Sequence, residues 1–323
     1  MKIGNVFLIF FILVFIYFFI GKSHKSEDIS WGVNFSQKHT VSLGLDWKET
    51  YSAILDDLGV KKIKLAVHWD LIQPTPNEFN FEDLDWQIKK AQENDVKMIL
   101  LLGIKTSRWP ECHVPTWAKN KDIENQQIEI LKMLEAVVSR YKDNPTVERW
   151  QIENEPFFPF GECQWVDEDF LKKEIELVKS LDNRPIIISD SGEGSFWFKA
   201  AKFGDIVGIT TYKKVWMRQF KIYFNYPIPS IFYKRRADII KMVFNKEVIC
   251  IELQAEPWGP ELLYTSPQEE QMKTMNPAQF NKNIEFASNT GFKEFYLWGS
   301  EWWYWMKTKQ GDDGVWQEAK KLF

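Results

Sequence analysis

Short apolar runs alternate with amphipathic stretches throughout residues 31–323. Eight runs have the length of a strand, and each is followed by a stretch with the apolar spacing of a helix. This alternation is typical of a parallel sheet, and eight repeats predict an α/β fold with a single (β/α)₈ TIM barrel. The predicted strands are residues 31–35, 62–67, 96–102, 147–152, 185–189, 206–211, 247–253 and 294–298.

The connecting segments differ in length at the two ends of this barrel. Segments after predicted helices are short, as at residues 59–60 and 94–95, whereas those after strands are long, as at 103–122, 155–167, 212–229 and 254–276. Barrels of this kind build their active face from the loops that follow strands. A doubly wound open sheet is the competing fold, but no G-x-G-x-x-G sequence follows the first strand. The barrel is therefore favoured.

Residues 3–20 are almost entirely apolar and carry no charge. A helix of that length spans roughly 27 Å, close to the bilayer core, and no good cleavage site follows it. We interpret residues 1–21 as an uncleaved transmembrane helix, residues 22–30 as a linker and residues 31–323 as the catalytic barrel. A cleaved signal peptide is the alternative. The expected location is a membrane-anchored, extracytoplasmic one, at the cell surface or on the periplasmic side.

The composition excludes several classes of partner. The net charge of −4 does not suggest nucleic acid binding, and no His or Cys cluster has metal-ligand spacing, so we expect no metal and no cofactor. We expect a monomer. The 16 Trp residues exceed what a core usually holds and suit a cleft that stacks sugar rings. Cys112 and Cys163 lie in loops at the same predicted end, where an oxidising compartment would allow a disulfide.

Two predicted strands end on a glutamate. The fourth ends in WQIENEP (residues 150–156) and the seventh in ICIELQAEPW (residues 249–258). These strands face each other across an eight-stranded barrel. The carboxylates of Glu155 and Glu252 can therefore flank one glycosidic bond.

These motifs resemble clan A of the glycoside hydrolases, which are retaining enzymes with a (β/α)₈ barrel. Asn154-Glu155-Pro156 is similar to the clan's motif on strand four, and Glu252 with Gln254 to its E-x-Q motif on strand seven. Residues 150–155 also resemble the W-Q-x-D-N-E sequence of its β-galactosidase branch. The resemblance implies a retaining glycosidase that cleaves β-glycosidic bonds of an oligo- or polysaccharide.

The resemblance also implies a role for each matching residue. Glu252 would be the nucleophile and Glu155 the acid/base. Asn154 would donate to the sugar 2-hydroxyl, Tyr212 would orient Glu252, and Trp298 would lie under the sugar ring.

One position departs from the clan pattern. Members commonly carry an Arg on strand two near the nucleophile, where this chain has Lys64. A Lys replaces a bidentate partner by a point charge. The alternative function, a catalytically inactive, membrane-tethered carbohydrate-binding barrel, therefore stays open. A barrel enzyme with other acid chemistry is disfavoured, since no metal or phosphate motif is present.

Several further residues are candidates for substrate binding but have competing interpretations. Glu256 rivals Glu252 as nucleophile or borders the cleft, and Glu301 binds a sugar hydroxyl or is a solvated loop acid. Glu153 is read as a buried structural acid, with Lys64 as its suggested partner. Candidate substrate contacts at the ends of strands two and three are Trp69, Arg108, Trp109 and His113, of which Trp69 and His113 have a structural alternative. The sugar, the linkage and endo or exo action stay open.

Overall fold

The computed structural model describes residues 3–23, 25–163 and 167–323. Residues 1, 2 and 24 of the predicted anchor and linker, and residues 164–166 of the predicted loop 155–167, lie outside the described residues. Eight parallel strands form a closed barrel, which confirms the predicted fold. In order around the barrel they are β1 (Ser30–Phe35), β2 (Lys62–Ala66), β3 (Lys97–Leu102), β4 (Val147–Ile152), β5 (Ile186–Asp190), β6 (Ile206–Thr211), β9 (Glu247–Gln254) and β10 (Glu294–Trp298).

Helices surround the barrel, and a small hairpin lies beside it. The hairpin joins strands β7 (Lys214–Met217) and β8 (Ile222–Asn225), which pair antiparallel within the long segment after β6. The α-helices that follow the N-terminal one are α2 (Gln37–Ser42), α3 (Trp47–Asp56), α4 (Trp69–Ile72), α5 (Glu82–Glu93), α6 (Ile123–Tyr141), α7 (Glu168–Leu181), α8 (Phe198–Phe203), α9 (Ser230–Phe244), α10 (Gln268–Gln271), α11 (Pro277–Ser288), α12 (Ser300–Trp305) and α13 (Gly314–Lys320). A π-helical turn at Met306–Gln310 continues α12.

The N-terminal helix α1 spans Ile3–Phe19. It packs on α9, where Phe18 and Phe19 contact the ring of Phe232. Its 17 residues are about 25 Å long, shorter than a hydrocarbon core of about 30 Å. Among the described residues, no helix combines the length and apolar character needed to cross a membrane. The prediction of a transmembrane helix at residues 1–21 is therefore not supported.

Side chains of alternating strand residues separate into two cores. One lies between the strands and the helices, and it includes Met98, Leu100 and Leu102 of β3. The other fills the barrel interior, since successive side chains of a strand point to opposite faces. Its members are Ile99, Ile187, Ile206, Ile249, Ile251 and Tyr296. The interior is thus packed below the mouth, which leaves the strand ends to carry polar groups.

Side-chain caps fix where the helices after the long loops begin. Asp122 accepts from Asn125 N at the start of α6, and Asp167 accepts from Phe170 N at the start of α7. Each cap satisfies a free amide in the first turn of its helix. Because the helix starts are fixed in this way, the loops after β3 and β4 return to the barrel at defined points.

Candidate active site

A β-bulge in β9 directs Glu252 into the mouth of the barrel. Relative to β6, Ile209 pairs with Cys250 but Thr210 pairs with Glu252, so β9 contains one extra residue. The register with β10 shifts in the same stretch. Without the bulge, Glu252 would point away from the interior side that Ile249 and Ile251 occupy. The bulge re-aims this side chain, a common use of bulges beside active sites.

Three donors surround the Glu252 carboxylate. Lys64 Nζ lies 2.7 Å from Oε1, Ser107 Oγ lies 3.3 Å from the same oxygen, and the Tyr212 hydroxyl donates to Oε2 at 2.9 Å. Lys64 and Glu252 are both buried. Lys64 therefore occupies the place beside the carboxylate that the sequence suggested, and both oxygens of Glu252 are held in fixed directions.

Glu155 lies near Glu252 and, unlike it, has no ammonium group bonded to its carboxyl oxygens among the described residues. The backbone turns at Glu155, with a φ of 44°, and its amide donates to Ser189 Oγ on β5 at 2.8 Å. Its Oε1 accepts from Thr210 Oγ1 at 2.9 Å. Thr210 is the register partner of Glu252, and neighbouring strands lie about 4.8 Å apart. The two carboxyl groups therefore share one side of the barrel mouth.

The surroundings of Glu155 favour its protonated form. Burial, and then the negative charge of Glu252, raise the pKa of Glu155 to about 8. Lys105 and the Thr210 hydroxyl act in the opposite direction. At neutral pH the site therefore contains one carboxyl group that retains its proton beside one that is paired with an ammonium group.

Glu153 has a structural role, but its predicted partner is wrong. Its carboxylate accepts from the amides of Ile104 and Lys105, at 2.9 and 2.6 Å, and not from Lys64. The chain leaves the regular strand after Ile152, and Glu153 has a φ of 58°. This turn takes the side chain out of the strand alternation on which the predicted contact depended. Glu153 thus joins the ends of β3 and β4.

A second charged cluster lies at the ends of β9 and β10. The Arg108 guanidinium donates to Glu256 and, at 2.9 Å, to Glu301. It also lies 3.8 Å from the centre of the Trp298 ring. The predicted sugar platform is therefore covered on one face by Arg108. Glu301 also accepts from Ser36 N, so it is a buried cluster member and not a solvated loop acid.

The cluster separates Glu256 from Glu252. Burial first raises the pKa of Glu256, to about 7, while the charge of Arg108 opposes this. Its Oε2 has no hydrogen-bond partner among the described residues and lies 3.7 Å from His39 Nε2. Glu256 is bound to Arg108, whereas Glu252 is bound to Lys64 and Tyr212. This arrangement favours Glu252 as the nucleophile.

The four other predicted substrate contacts differ in how deeply their side chains are buried. Trp69 is fully buried and donates to Gln73, which fits core packing, the structural alternative at this position. His113 is buried and lies 3.2 Å from Arg108 O, and burial lowers its pKa to about 4, which fits the structural alternative. Trp109 is 48% exposed at the rim. Asn154 is buried, and its Oδ1 has no partner among the described residues.

The loop after β3 is fastened to the loop after β4. Cys112 and Cys163 form a disulfide, and Glu162 N donates to Pro110 O at 3.0 Å. Sequence reasoning did not single out Lys105, Ser107 and Glu111 of this loop, or Thr210 of β6. The richness of the loop in charged and aromatic residues was the available signal. In the part of the chain that the structure describes, no group of three or more His, Cys, Asp or Glu side chains could hold a metal ion.

Comparison with known families covers the part of the chain that contains Glu155 but not the part that contains Glu252. A family model described as Glycosyl hydrolase family 10 matches residues 32–173, from β1 into α7. The match includes the Asn154-Glu155 pair at the end of β4. Over this stretch the chain resembles a family of clan A of the glycoside hydrolases. Together with the closed barrel, the match supports a glycosidase.

Solved structures of several glycosidases share the barrel fold of this chain. Xylanase 10B from Thermotoga maritima aligns with a TM-score of 0.57 and 15% identity, over 84% of this chain and 83% of the other. Xylanase 10B from Thermotoga petrophila, in complex with xylobiose, aligns at 0.54 and 14%, over 84% and 82%. GH5_18 from Bifidobacterium longum aligns at 0.59 and 12%, over 84% and 70%. At these identities the likeness concerns the fold, so the geometry of this chain must support the role of Glu252.

Proposed function

We propose that this glycosidase hydrolyses β-glycosidic bonds of an oligo- or polysaccharide by double displacement, with retention of configuration. Glu252 attacks the anomeric carbon as a carboxylate. Glu155 protonates the leaving oxygen and then deprotonates the water that hydrolyses the glycosyl-enzyme intermediate. In a retaining site the two carboxyl groups lie about 5–5.5 Å apart.

The unequal surroundings of the two carboxyl groups are the observation that supports this proposal. Glu252 is paired with Lys64 and accepts from Tyr212, which orients both of its oxygens. Glu155 has a pKa of about 8 and accepts from the neutral hydroxyl of Thr210. One group is thus prepared to act as a nucleophile and the other to donate a proton, as the two steps require.

The substrate-binding roles follow from the same geometry. Asn154 lies beside Glu155, and its side-chain oxygen has no partner among the described residues, so we propose that it contacts the 2-hydroxyl of the sugar. Exposed Trp109 at the rim is proposed to contact a sugar farther along the chain. Because a xylanase complexed with xylobiose is among the similar structures, xylo-oligosaccharides are the first substrates to test.

The experiment that tests the proposal is labelling with a 2-fluoro glycoside that has an activated leaving group. The fluorine slows hydrolysis of the intermediate, so a covalent adduct should accumulate on Glu252 and be found by peptide mass spectrometry. Aryl β-glycosides and soluble polysaccharides identify the sugar to be used. An adduct on Glu256 would contradict the assignment, and so would the absence of turnover and of labelling across the whole panel.

We also propose that the barrel acts outside the cytoplasm. The Cys112–Cys163 disulfide supports this location, since such bonds persist in oxidising compartments. Non-reducing mass spectrometry of protein isolated from its own cells should find the two cysteines in one cross-linked peptide pair. Free thiols at both positions would contradict the proposal.

A further inference from the structure

A third carboxyl group, that of Glu111, lies beside the two glutamates of the site. Glu111 is 5% exposed, in the loop that the disulfide fastens at its neighbour Cys112. Its backbone is held at both ends, because its amide donates to Arg108 O at 2.7 Å and its carbonyl accepts from Thr106 N at 2.8 Å. Its Oε2 has no hydrogen-bond partner among the described residues. The backbone of Glu111 is thus fixed, whereas one of its two carboxyl oxygens lacks a hydrogen bond among the described residues.

Lys105 connects Glu111 to Glu155. Its Nζ lies 3.4 Å from Glu111 Oε2 and also donates to the backbone oxygens of Glu155, at 3.2 Å, and Phe158, at 2.8 Å. Lys105 and Glu111 are both buried. The ammonium group therefore lies between the loop after β3 and the turn that carries Glu155.

The cations of the site are divided unevenly among its acids. Lys64 is paired with Glu252, and Arg108 is shared by Glu256 and Glu301. Lys105 is left to compensate Glu111 and Glu155, and it also acts on the buried carboxyl group of Glu153. Burial raises the pKa of Glu111 to about 8; the charge of Lys105 opposes this, and those of Glu155 and Glu252 add to it. Asp190 on β5 also contributes negative charge at Glu155.

We propose that Glu111 is a positioning residue that shares the charge of Lys105 with Glu155 and loses its proton in a step coupled to that of Glu155, and so keeps the acid/base protonated. Two interacting carboxyl groups lose their protons in two steps that belong to the pair. The proton retained until the second step can lie on Glu155. If a neutral side chain replaces Glu111, the repulsion between the two carboxylates disappears and the charge of Lys105 acts mainly on Glu155. Glu155 then loses its proton at lower pH.

The test is the pH profile of kcat/KM in the variant Glu111→Gln. The alkaline limb of this profile reports the essential acid of the free enzyme. With the 4-nitrophenyl β-glycoside that the unmodified protein hydrolyses fastest, the limb should move to lower pH by about one unit. The maximum of kcat below the limb should change much less. A uniform loss of kcat/KM with an unmoved limb would overturn the proposal.

Two further variants separate charge from structure. Glu111→Asp retains the carboxylate and should leave the limb closer to its original position than Glu111→Gln does. Glu162→Gln removes a negative charge from the exposed part of the neighbouring loop and should leave the profile unchanged. An equal shift in Glu111→Gln and Glu162→Gln would point to a general effect of net charge and would contradict the specific coupling.

Carboxyl carbon-13 NMR keeps the proposal testable if Glu111→Gln does not fold. In Glu155→Gln, one carboxyl signal that titrates above pH 6 in the unmodified protein should disappear, and the midpoint of a second, from Glu111, should fall. If no second midpoint changes, the coupling does not exist. The inference rests on the proposed function, but the two fail differently: an inactive wild-type protein contradicts the function, whereas an active one with an unmoved limb contradicts only the role of Glu111.

Discussion

Replacement of Glu252 by alanine should lower turnover of aryl β-glycosides by at least about 10⁴-fold, because the covalent intermediate can no longer form. The variant should fold, but Lys64 then lacks its carboxylate partner inside the barrel. Circular dichroism and thermal melting should accompany the kinetics, since loss of one member of a buried pair is destabilising. Glu252→Gln retains the volume and provides the comparison with less structural disturbance.

The matched control is Glu256→Gln, four residues farther along the same segment. Glu256 contacts Arg108, so this substitution disturbs the cluster over Trp298 but leaves Lys64, Tyr212 and Glu252 in place. Its turnover should exceed that of Glu252→Gln by at least about a hundredfold. Added azide should restore turnover to Glu252→Ala, with the α-glycosyl azide as product, but should not raise the turnover of Glu256→Gln. Undiminished hydrolysis by Glu252→Ala, or the reverse order of the two variants, would refute the assignment.

The barrel was predictable because each of its repeats has a clear local pattern. Residues 147–152, 206–211 and 294–298 were predicted as strands and form β4, β6 and β10 with the same bounds. The helical stretches expected between the strands are also present, among them α6, α7 and α9. The first two begin at Asp caps, which are local signals. The hairpin of β7 and β8 was missed, because its four-residue strands are too short for a periodic pattern.

The site was less predictable, because its geometry depends on irregular backbone. Strand alternation alone cannot reveal the extra residue in β9 that turns Glu252 into the mouth. Nor can it reveal the positive φ values at Glu153 and Glu155, which move Glu153 away from Lys64. The stacking of Arg108 on Trp298 and the burial of Trp69 and His113 depend on tertiary packing. Residue types at strand ends therefore indicated the chemistry, whereas the ion-pair partners required the three-dimensional structure.

Replacement of Glu155 by alanine should produce a loss that depends on the leaving group. An unactivated oligosaccharide requires proton donation to its leaving oxygen, so kcat/KM should fall by about 10²–10⁴-fold. A 2,4-dinitrophenyl glycoside leaves without a proton, so its kcat/KM should be nearly unchanged. Its kcat should nevertheless fall, because Glu155 also activates the water that hydrolyses the intermediate. The intermediate should then accumulate, giving a burst of dinitrophenolate.

Azide distinguishes loss of the acid/base from loss of the nucleophile. It needs no deprotonation, so it should attack the accumulated intermediate of Glu155→Ala and give the β-glycosyl azide, the anomer opposite to that from Glu252→Ala. The alkaline limb of the pH profile should also disappear, because the group whose pKa is about 8 is absent. Thr210→Val is the matched control: it removes the hydroxyl that donates to Glu155 but retains the carboxyl group, and it should preserve the limb. An equal loss for both leaving groups, or a limb that survives Glu155→Ala, would place the essential acid elsewhere.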